Sequence, residues 1–450
     1  MFDKLEKVLM PLAEAIGKNK YLISIRDGFL VSTPLLIAGS IFLLLANLPI
    51  PGYSDLIASI QIGDSNLAAY LGKPSSATFD IMAIFATMGI AYSYANQLKS
   101  DKIFCAATAL MSWFLLMPFV VSGTTDAGEA VELTGIPMGW VGSKGIFMGI
   151  FIAFGSTALY TWVKNRGWVI KMPKGVPPTV TESFSALIPI TLTMGVMFLI
   201  NTVLGAFGVD AFSVIFTFLQ TPLLGLGDTL GAMITAYLFL HAFWFFGING
   251  GSVVGAVFNP VLQTLAAENL EFFKTGVGEG HIICQQFQDL FATFGGCGST
   301  LSLLIAMLLF CKSERIKSLG RLALVPGIFN INEPIVFGLP IVMNPVIIIP
   351  FVLVPTVNII ISYFAMDLGI VPICSGIQVP WTTPLFISGL LATNIMGGVL
   401  QVILLVLGVF IYLPFIKAMD KQYLADELAA AESAAEDDDI DLDDLSFDDL

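Results

Sequence analysis

Long apolar stretches recur along the chain, separated by short polar, basic or glycine- and proline-rich segments. A helix needs about 20 largely apolar residues to cross a bilayer, and nine stretches approach that length. They cover approximately residues 27–48, 78–97, 103–122, 144–163, 184–206, 230–248, 286–311, 343–365 and 387–415. The pattern predicts an all-α polytopic membrane protein.

The composition supports this prediction and shows where the charge lies. Of 450 residues, 56% are hydrophobic and 12% are charged, whereas about a quarter of a soluble domain is charged. The net charge of −14 comes largely from residues 424–450, which hold 12 of the 34 Asp and Glu and no Lys or Arg. Such a segment cannot bury enough apolar surface to fold alone, so we expect a disordered acidic cytoplasmic tail. A purely solubilising tail and a docking site both stay open.

The five cysteines have no metal-binding spacing, and four of them lie in or beside apolar stretches. We therefore expect no zinc or other metal site, no disulfide framework and no cofactor. Residues 1–29 mix charged and apolar positions at helical spacing and lack a continuous apolar stretch before a cleavage site. This segment is predicted to be an interfacial amphipathic helix. No nucleic-acid partner is expected.

Basic residues predict the orientation of the chain in the membrane. Of the 20 Lys and Arg, 17 lie in five clusters, at residues 4–26, 99–102, 164–174, 312–321 and 417–421. The positive-inside rule places all five clusters, and with them both termini, in the cytoplasm. Two apolar stretches separate the first cluster from the second and the second from the third, but three lie between the third and the fourth. Part of residues 209–270 must therefore cross again or re-enter the membrane.

Interrupted apolar segments predict where a binding site lies. Residues 209–226 and 250–267 are apolar but short or broken by Gly and Pro, and residues 322–345 contain four prolines and two glycines. Irregular backbone at membrane depth is tolerated only where protein covers it or where it lines a cavity, and such breaks mark transporter binding sites. A basic, proline-rich segment near residue 180 divides an N-terminal half, 1–180, from a C-terminal half, 181–423.

Polar side chains lie within the second interrupted region, in the sequence FNINEP. Asn330, Asn332 and Glu333 are surrounded by apolar residues. An ionisable group in membrane-depth sequence costs several kcal/mol, roughly 2.5 or more on insertion scales, and so indicates a functional site. The structural alternative is that the asparagines satisfy carbonyls freed around the proline while Glu333 caps a half-helix.

The first interrupted region offers a second set of polar and aromatic groups. His241 and Trp244 are i, i+3 neighbours on one helical face, and Asn249 and Gly250 follow where that helix should end. Aromatic rings beside amides and a carboxylate suit a sugar, which has an apolar face and an edge of hydroxyls. Trp244 and Trp381 are equally suited to the interfacial belt of a membrane protein.

One motif suggests a reactive-cysteine loop but is discounted. GGCGSTLSLL, at residues 295–304, lies within an apolar, helix-length stretch and has no basic residue nearby before Lys312. We expect it to form the small-residue face of a packed helix.

Four segments together resemble a known family. They are SFSALIPI (183–190), FFGING (245–250), FNINEPIVFGLPIVMNP (329–345) and VPWTTP (379–384). The chain resembles enzyme IIC, the membrane component of the cellobiose, diacetylchitobiose and lactose branch of the bacterial phosphoenolpyruvate-dependent sugar phosphotransferase system. The resemblance extends to about residue 420 and leaves out the acidic tail.

The resemblance implies a homodimer in the bacterial plasma membrane, in contact with its lipids. Each protomer would have about ten membrane helices and two re-entrant hairpins, with the N-terminal half as dimer scaffold and the C-terminal half carrying the sugar. A β-linked disaccharide would be phosphorylated on its 6-hydroxyl by a phosphocysteine of enzyme IIB, which enzyme IIA recharges. Because the sequence shows neither component, both are expected to be separate proteins.

Family roles can be transferred to matching residues. The resemblance makes Glu333 the catalytic carboxylate beside the 6-hydroxyl, Asn332 a hydroxyl ligand, and Trp244 and Trp381 sugar-contacting aromatics. His241, Asn249, Gly250 and Asn330 complete the predicted sugar site.

One position departs from the family pattern. Where the family usually has Gly-Ile-His-Gly, this chain has Asn249 as the third residue. Histidine can take a proton near neutral pH, whereas asparagine can only form hydrogen bonds. Two alternatives therefore stay open: a facilitator that moves sugar without phosphorylating it, and a sugar sensor that uses the acidic tail to contact a partner.

Overall fold

The computed structural model describes residues 19–46, 52–124, 130–173, 175–247, 249–339, 341 and 344–438. Helices form most of it. The first part of the chain forms α1 (Lys20–Ala46), α2 (Tyr53–Ser59), α3 (Leu67–Ser76), α4 (Met82–Gln97), α5 (Lys102–Leu116), α6 (Met138–Val141), α7 (Ile146–Asn165) and α8 (Pro178–Ala206). Two antiparallel hairpins interrupt these helices, β1 (Gln61–Ile62) with β2 (Ser65–Asn66) and β3 (Val120–Thr124) with β4 (Ala130–Thr134).

The second part of the chain is more broken. It forms α9 (Ala211–Ile215), α10 (Thr221–Gly227), α11 (Leu230–Phe245), α12 (Gly250–Thr275), α13 (Gln285–Phe287), α14 (Thr300–Phe310), α15 (Glu314–Ile328), α16 (Glu333–Gly338), α17 (Ile348–Asp367), α18 (Ile387–Ala392) and α19 (Ile395–Asp438). π-Helical turns at Phe216–Gln220 and Gln288–Ala292 continue α9 and α13. The interruptions cluster in the half of the chain where the sequence predicts them.

Six helical segments among the described residues are long and apolar enough to cross a membrane. They are Lys20–Leu43, Ser143–Asn165, Pro178–Ala206, Gln285–Phe310, Ile348–Asp367 and Ile395–Ala429. A seventh is obtained if Ala211–Gly227 and Leu230–Phe245, which meet at 79°, count as one bent span. The mostly helical membrane architecture is confirmed, whereas the number of ten spans and the two re-entrant hairpins are not established by these helices.

The β3–β4 hairpin differs from the all-α prediction. Residues 103–122 are predicted to be one apolar span, but α5 ends at Leu116 and β3 begins at Val120. The intervening Met117 is extended (φ −75°, ψ 134°), as expected for a residue before Pro118, because proline disfavours the helical conformation of the residue that precedes it. The apolar run therefore continues as a strand.

The helices of the first part pack through small residues. A Cβ atom added at Gly28 of α1 would lie 2.6 Å from the backbone nitrogen of Ile90 in α4, and one added at Gly149 of α7 would lie 2.1 Å from the Thr87 hydroxyl. Such contacts let helix backbones approach closely, which is the usual basis of helix association in membranes.

The C-terminal helix is longer than expected. The tail predicted to be disordered begins at residue 424, but α19 continues through Asp438. Its sequence there, LADELAAAESAAEDD, is rich in Ala, Leu and Glu, which have high helix propensity. Residues 439–450 lie outside the described residues, as does most of the predicted N-terminal amphipathic helix, residues 1–18.

Residues 420–427 of α19 anchor the start of α15. The Asp420 carboxylate accepts hydrogen bonds from the backbone N–H groups of Lys312 and Ser313, at 2.9 and 2.8 Å. Glu427 accepts from the Ser313 hydroxyl at 2.6 Å and from the backbone of Arg315 at 3.0 Å. These carboxylates satisfy N–H groups that a helix start leaves unpaired, and so they fix the helix that leads to FNINEP.

A partly buried ionic cluster fastens the bend between α10 and α11 to α12. Nδ1 of His281 lies 2.8 Å from Asp228 at the bend, and Nε2 lies 2.9 Å from Glu268 of α12. The hydrogen bonds to Asp228 and Glu268 raise the pKa of His281 from 6.5 to about 10. The ring is therefore a cation that donates from both nitrogens.

This cluster predicts a pH dependence of stability. Because the folded-state pKa is above the ordinary value, the stabilisation is complete below about pH 6.5 and is lost as the pH rises towards 10. We expect the unfolding temperature in detergent to fall more steeply between about pH 7 and 10 for the unaltered protein than for His281→Gln. Parallel pH profiles of the two proteins would contradict the ionic role.

Candidate functional site

The two interrupted regions meet at a cavity of about 250 Å³. Its wall comes from α11, the start of α12, the stretch from the second π-turn to α14, the segment before α16, and the loop before α18. The described lining residues are Tyr237, Leu240, Trp244, Asn249, Gly251, Gln288, Asp289, Thr293, Gly296, Cys297, Asn330, Asn332, Glu333 and Trp381. The cavity therefore brings together six of the residues predicted to form the sugar site. They are Trp244, Asn249, Asn330, Asn332, Glu333 and Trp381.

The first break is a tight turn between α11 and α12. The Asn249 side chain accepts a hydrogen bond from the backbone N–H of Ser252 at 2.9 Å and so caps α12, a position where asparagine is among the best residues. A Cβ atom added at Gly250 would lie only 1.8 Å from the carbonyl oxygen of Leu240. Gly250 therefore permits the two helix backbones to touch and lies behind the cavity wall, which differs from its predicted contact with sugar.

The second break presents Glu333 to the cavity. Glu333 is the first residue of α16 and is exposed, and Pro334 follows it. A carboxylate is favoured at a helix N-terminus, and proline is suited to the first turn because it lacks an N–H. No described residue donates a hydrogen bond to this carboxylate, so it is available to a ligand.

The two asparagines of FNINEP hold neighbouring loops in place. Asn330, which has a left-handed backbone (φ 64°), accepts from the Gly295 N–H at 2.6 Å and donates to the Trp381 carbonyl at 2.5 Å. Asn332 donates to the Cys297 carbonyl at 2.8 Å, which leaves its side-chain oxygen for another partner. The carbonyl groups that these asparagines bond belong to neighbouring loops and not to the segment around Pro334, and both asparagines also line the cavity.

A third break was missed by the sequence analysis. Residues 295–304 are predicted to be a helix face, but α14 begins only at Thr300, and Gly295, Gly296 and Gly298 have φ values of 74°, 86° and 78°. These left-handed conformations favour glycine. The closely spaced glycines of GGCGS indicate a loop, whereas the apolar residues on either side favour a helix.

His241 supports this loop and does not line the cavity. The ring is fully buried, its Nδ1 lies 2.7 Å from the Tyr237 carbonyl, and its Nε2 accepts from the Gly298 N–H at 3.1 Å. This pairing fixes a neutral ring with the proton on Nδ1. The predicted contact between His241 and sugar therefore does not fit the geometry, because both nitrogens are occupied by backbone groups.

The two tryptophans occupy different parts of the cavity. Trp244 is 6% exposed, and its buried indole N–H lies against the Cys297 thiol. Trp381 is 49% exposed. The cavity therefore has a buried aromatic wall at Trp244 and an open aromatic ring at Trp381.

The charge of the cavity is negative. Its described lining includes two carboxylates, Glu333 and Asp289, and no Lys or Arg. Asp289, which the sequence analysis did not single out, lies in the π-turn after α13 and accepts from Gln285 Nε2 at 3.0 and 3.1 Å. In the part of the chain that the structure describes, no three His, Cys, Asp or Glu side chains are placed to hold a metal ion. The site suits a neutral ligand rich in hydroxyls.

Comparisons with known proteins identify the family. Residues 26–355 match the model of the family described as "Phosphotransferase system, EIIC". The chain belongs to this family. The EIIC protein is 42% identical over 434 residues to the oligo-beta-mannoside-specific EIIC component of Bacillus subtilis (strain 168), covering 95% of this chain and 96% of that one. It is 43% identical over 432 residues to the cellobiose-specific EIIC component of Geobacillus stearothermophilus, covering 94% and 95%.

A solved structure has the same fold as this EIIC protein. It is the transporter ChbC, the IIC component from the N,N'-diacetylchitobiose-specific phosphotransferase system, with a TM-score of 0.90, 42% sequence identity, and coverage of 94% of this chain and 99% of that one. The resemblance seen in the sequence is therefore confirmed. As an EIIC component, the protein is a membrane permease that works with EIIA and EIIB components on a sugar.

Proposed function

We propose that this EIIC protein carries a β-linked disaccharide and holds its 6-hydroxyl beside Glu333 while the phosphocysteine of EIIB phosphorylates it. The observation that carries the proposal is the free Glu333 carboxylate in one cavity with Asn332, Asn249 and the open ring of Trp381. The sugars in the names of the relatives, cellobiose, oligo-beta-mannoside and N,N'-diacetylchitobiose, support the β-linked substrate class.

The proposed chemistry is an in-line phosphoryl transfer. The sugar 6-oxygen forms a bond to phosphorus as the bond between phosphorus and the cysteine sulfur breaks, so the thiolate leaves and the hydroxyl proton passes to Glu333. The carboxylate acts as general base, a role typically worth about 10²–10⁴-fold in rate. Asn332 accepts a hydrogen bond from a different hydroxyl of the same ring through its free side-chain oxygen, and Trp381 covers the apolar face of the sugar ring.

In this proposal Asn249 acts as a hydrogen-bond donor to the sugar. Its side-chain oxygen caps α12, so its NH₂ group remains to donate to a sugar oxygen. In this proposal a neutral donor is sufficient, because Glu333 alone removes the proton. A facilitator that moves sugar without phosphorylation is the competing function, and the replacement of the family histidine by Asn249 is the observation in its favour.

A vesicle experiment separates the two functions. Membrane vesicles containing the protein are given labelled cellobiose, mannobiose or N,N'-diacetylchitobiose, with or without phosphoenolpyruvate and the soluble phosphotransferase proteins. We expect the label to accumulate as sugar 6-phosphate only when all components are present. Equilibration of free sugar that is unaffected by phosphoenolpyruvate would support the facilitator and contradict the phosphotransferase.

The proposal includes the arrangement in the membrane. Both termini and the basic clusters lie in the cytoplasm, where EIIB has access to the sugar, and the 1–180 half forms the interface of a homodimer while the 181–423 half carries the sugar. The support is that every described residue of the cavity wall comes from residue 237 onward.

A further inference from the structure

A polar pocket of about 350 Å³ lies between the first part of the chain and α12. One wall comes from residues 76–144 and the other from the end of α12. Lys274 connects the two walls, because its ammonium group donates to the Ser75 hydroxyl at 3.2 Å and lies 3.9 Å from the Asp80 carboxylate. The pocket shares no described lining residue with the sugar cavity.

Two opposite charges in this pocket are not paired. Lys144 lies two residues before α7 and Glu271 lies near the end of α12, and both are exposed and line the pocket. Neither charged group has an ion-pair partner among the described residues. Opposite charges that line one pocket without contact leave space for a ligand that carries a charge of each sign, since such complementarity gives specificity.

An apolar groove continues from the polar pocket. It has a volume of about 410 Å³, and its lining includes Pro137, Trp140 and Phe216. Gly139 and Lys144 belong to both the groove and the pocket. A Cβ atom added at Gly139 would lie 3.8 Å from Cδ of Lys144, and the Lys144 ammonium lies 6.0 Å from the centre of the Phe216 ring. The Lys144 side chain therefore lies at the junction of a charged space and an apolar one.

This junction lies at the level of the membrane surface. The helical segment Ser143–Asn165 is long and apolar enough to cross a bilayer, and Lys144 is at the opposite end from the basic cluster at residues 164–174. Trp140 precedes the same end, and tryptophan is enriched where a membrane meets water. Phospholipid headgroups lie at this level, and lysine binds phosphate groups.

We propose that the pocket and the groove together bind one phospholipid whose headgroup joins a phosphate to a primary ammonium. Lys144 donates to the phosphate, the headgroup ammonium donates to Glu271, and an acyl chain lies in the groove along Trp140 and Phe216. The headgroup contacts both walls of the pocket and so stabilises the contact between the first part of the chain and α12. This site goes beyond the proposed sugar transport and does not depend on it.

The headgroup preference is tested by native mass spectrometry of the delipidated full-length protein. Phosphatidylethanolamine, phosphatidylglycerol and phosphatidylcholine with the same acyl chains are added in turn. We expect phosphatidylethanolamine to bind at least about fivefold more tightly than the other two, the effect of one charged contact at a membrane surface. Phosphatidylglycerol has no ammonium for Glu271, and the quaternary ammonium of phosphatidylcholine has no N–H to donate. Equal affinities for the three lipids would overturn the proposal.

Two variants test the two ends of the headgroup. Lys144→Gln should weaken the binding of all three lipids about fivefold, whereas Glu271→Gln should weaken only phosphatidylethanolamine and so remove the preference. Lys73→Gln is the matched control, because Lys73 is an exposed lysine of α3 that lines neither the pocket nor the groove. It should bind all three lipids as the parent does. Parent-like binding by both Lys144→Gln and Glu271→Gln would overturn the site.

Glycerophosphoethanolamine separates a lipid from a soluble phosphate ester, because it has the same headgroup without acyl chains. We expect it to leave labelled phosphatidylethanolamine bound when the two are present at equal concentration, since it cannot fill the apolar groove. Displacement of the lipid under these conditions would show that the headgroup alone is recognised and would overturn the role of the groove.

Discussion

Replacing Glu333 with glutamine is expected to lower the rate of sugar phosphorylation by about 10²–10⁴-fold, the usual contribution of a general base. The amide has nearly the same shape and still forms hydrogen bonds, but it cannot accept the hydroxyl proton at neutral pH. Disaccharide affinity should therefore stay within about tenfold of the parent value, since the change removes an interaction needed mainly in the transition state. Phosphorylation is measured in vesicles supplied with phosphorylated EIIB, and binding is measured by calorimetry.

The matched control for this substitution is Glu314→Gln. Glu314 starts the preceding helix, α15, and its side chain is 69% exposed beside Arg321 at 3.9 Å. An ion pair as exposed as this one contributes little to stability, so the control should phosphorylate sugar normally. A Glu333→Gln protein that keeps the parent rate would show that the proton goes elsewhere and would remove Glu333 from the proposed chemistry.

Replacing Gly250 with alanine should destabilise the protein and abolish sugar binding. The added methyl would lie 1.8 Å from the Leu240 carbonyl oxygen and 2.7 Å from its carbon. These are backbone atoms that cannot rotate away, so α11 and α12 must separate. We expect a cost of about 3 kcal/mol or more, the upper range for overpacking, measured as a lower unfolding temperature in detergent.

The adjacent glycine supplies a matched control. A Cβ atom at Gly251 would lie 3.4 Å from its nearest neighbour, the Asn249 side-chain oxygen. Both positions are at the start of α12, where alanine has the better intrinsic helix propensity. Gly251→Ala should therefore unfold at or above the parent temperature. Equal stability of the two variants would show that the close approach of α11 and α12 is not required.

The apolar pattern predicts the membrane helices well because it reports a local property. The long spans α1, α7, α8, α17 and α19 all fall on predicted apolar stretches, as they must when about 20 apolar residues are needed to cross a bilayer. Their ends are less predictable, because they depend on local backbone chemistry. Pro118 stops α5 short of the predicted end, and the alanine-rich start of the acidic segment extends α19.

The candidate site could be predicted only where polar residues interrupt apolar sequence. FNINEP and FFGING were found for that reason, and Glu333, Asn332, Asn330 and Asn249 do line one cavity. Asp289 was missed because a single carboxylate near the start of a span resembles an interfacial residue until the fold places it beside the cavity. For His241 the sequence predicts a sugar contact that the geometry does not fit. Both ring nitrogens bond backbone groups that only the folded chain brings near the ring.

The acidic cavity also affects the direction of transport under the proposed function. A neutral disaccharide is compatible with Glu333 and Asp289, but a phosphate monoester brings a charge of about −1.5 to −2 into the same space. Two like unit charges about 4 Å apart repel by roughly 4 kcal/mol at an effective dielectric constant of about 20. Phosphorylation would thus turn a bound substrate into a product that the site expels, and a returning sugar phosphate would be excluded. The same wall that recognises the sugar would make its uptake irreversible.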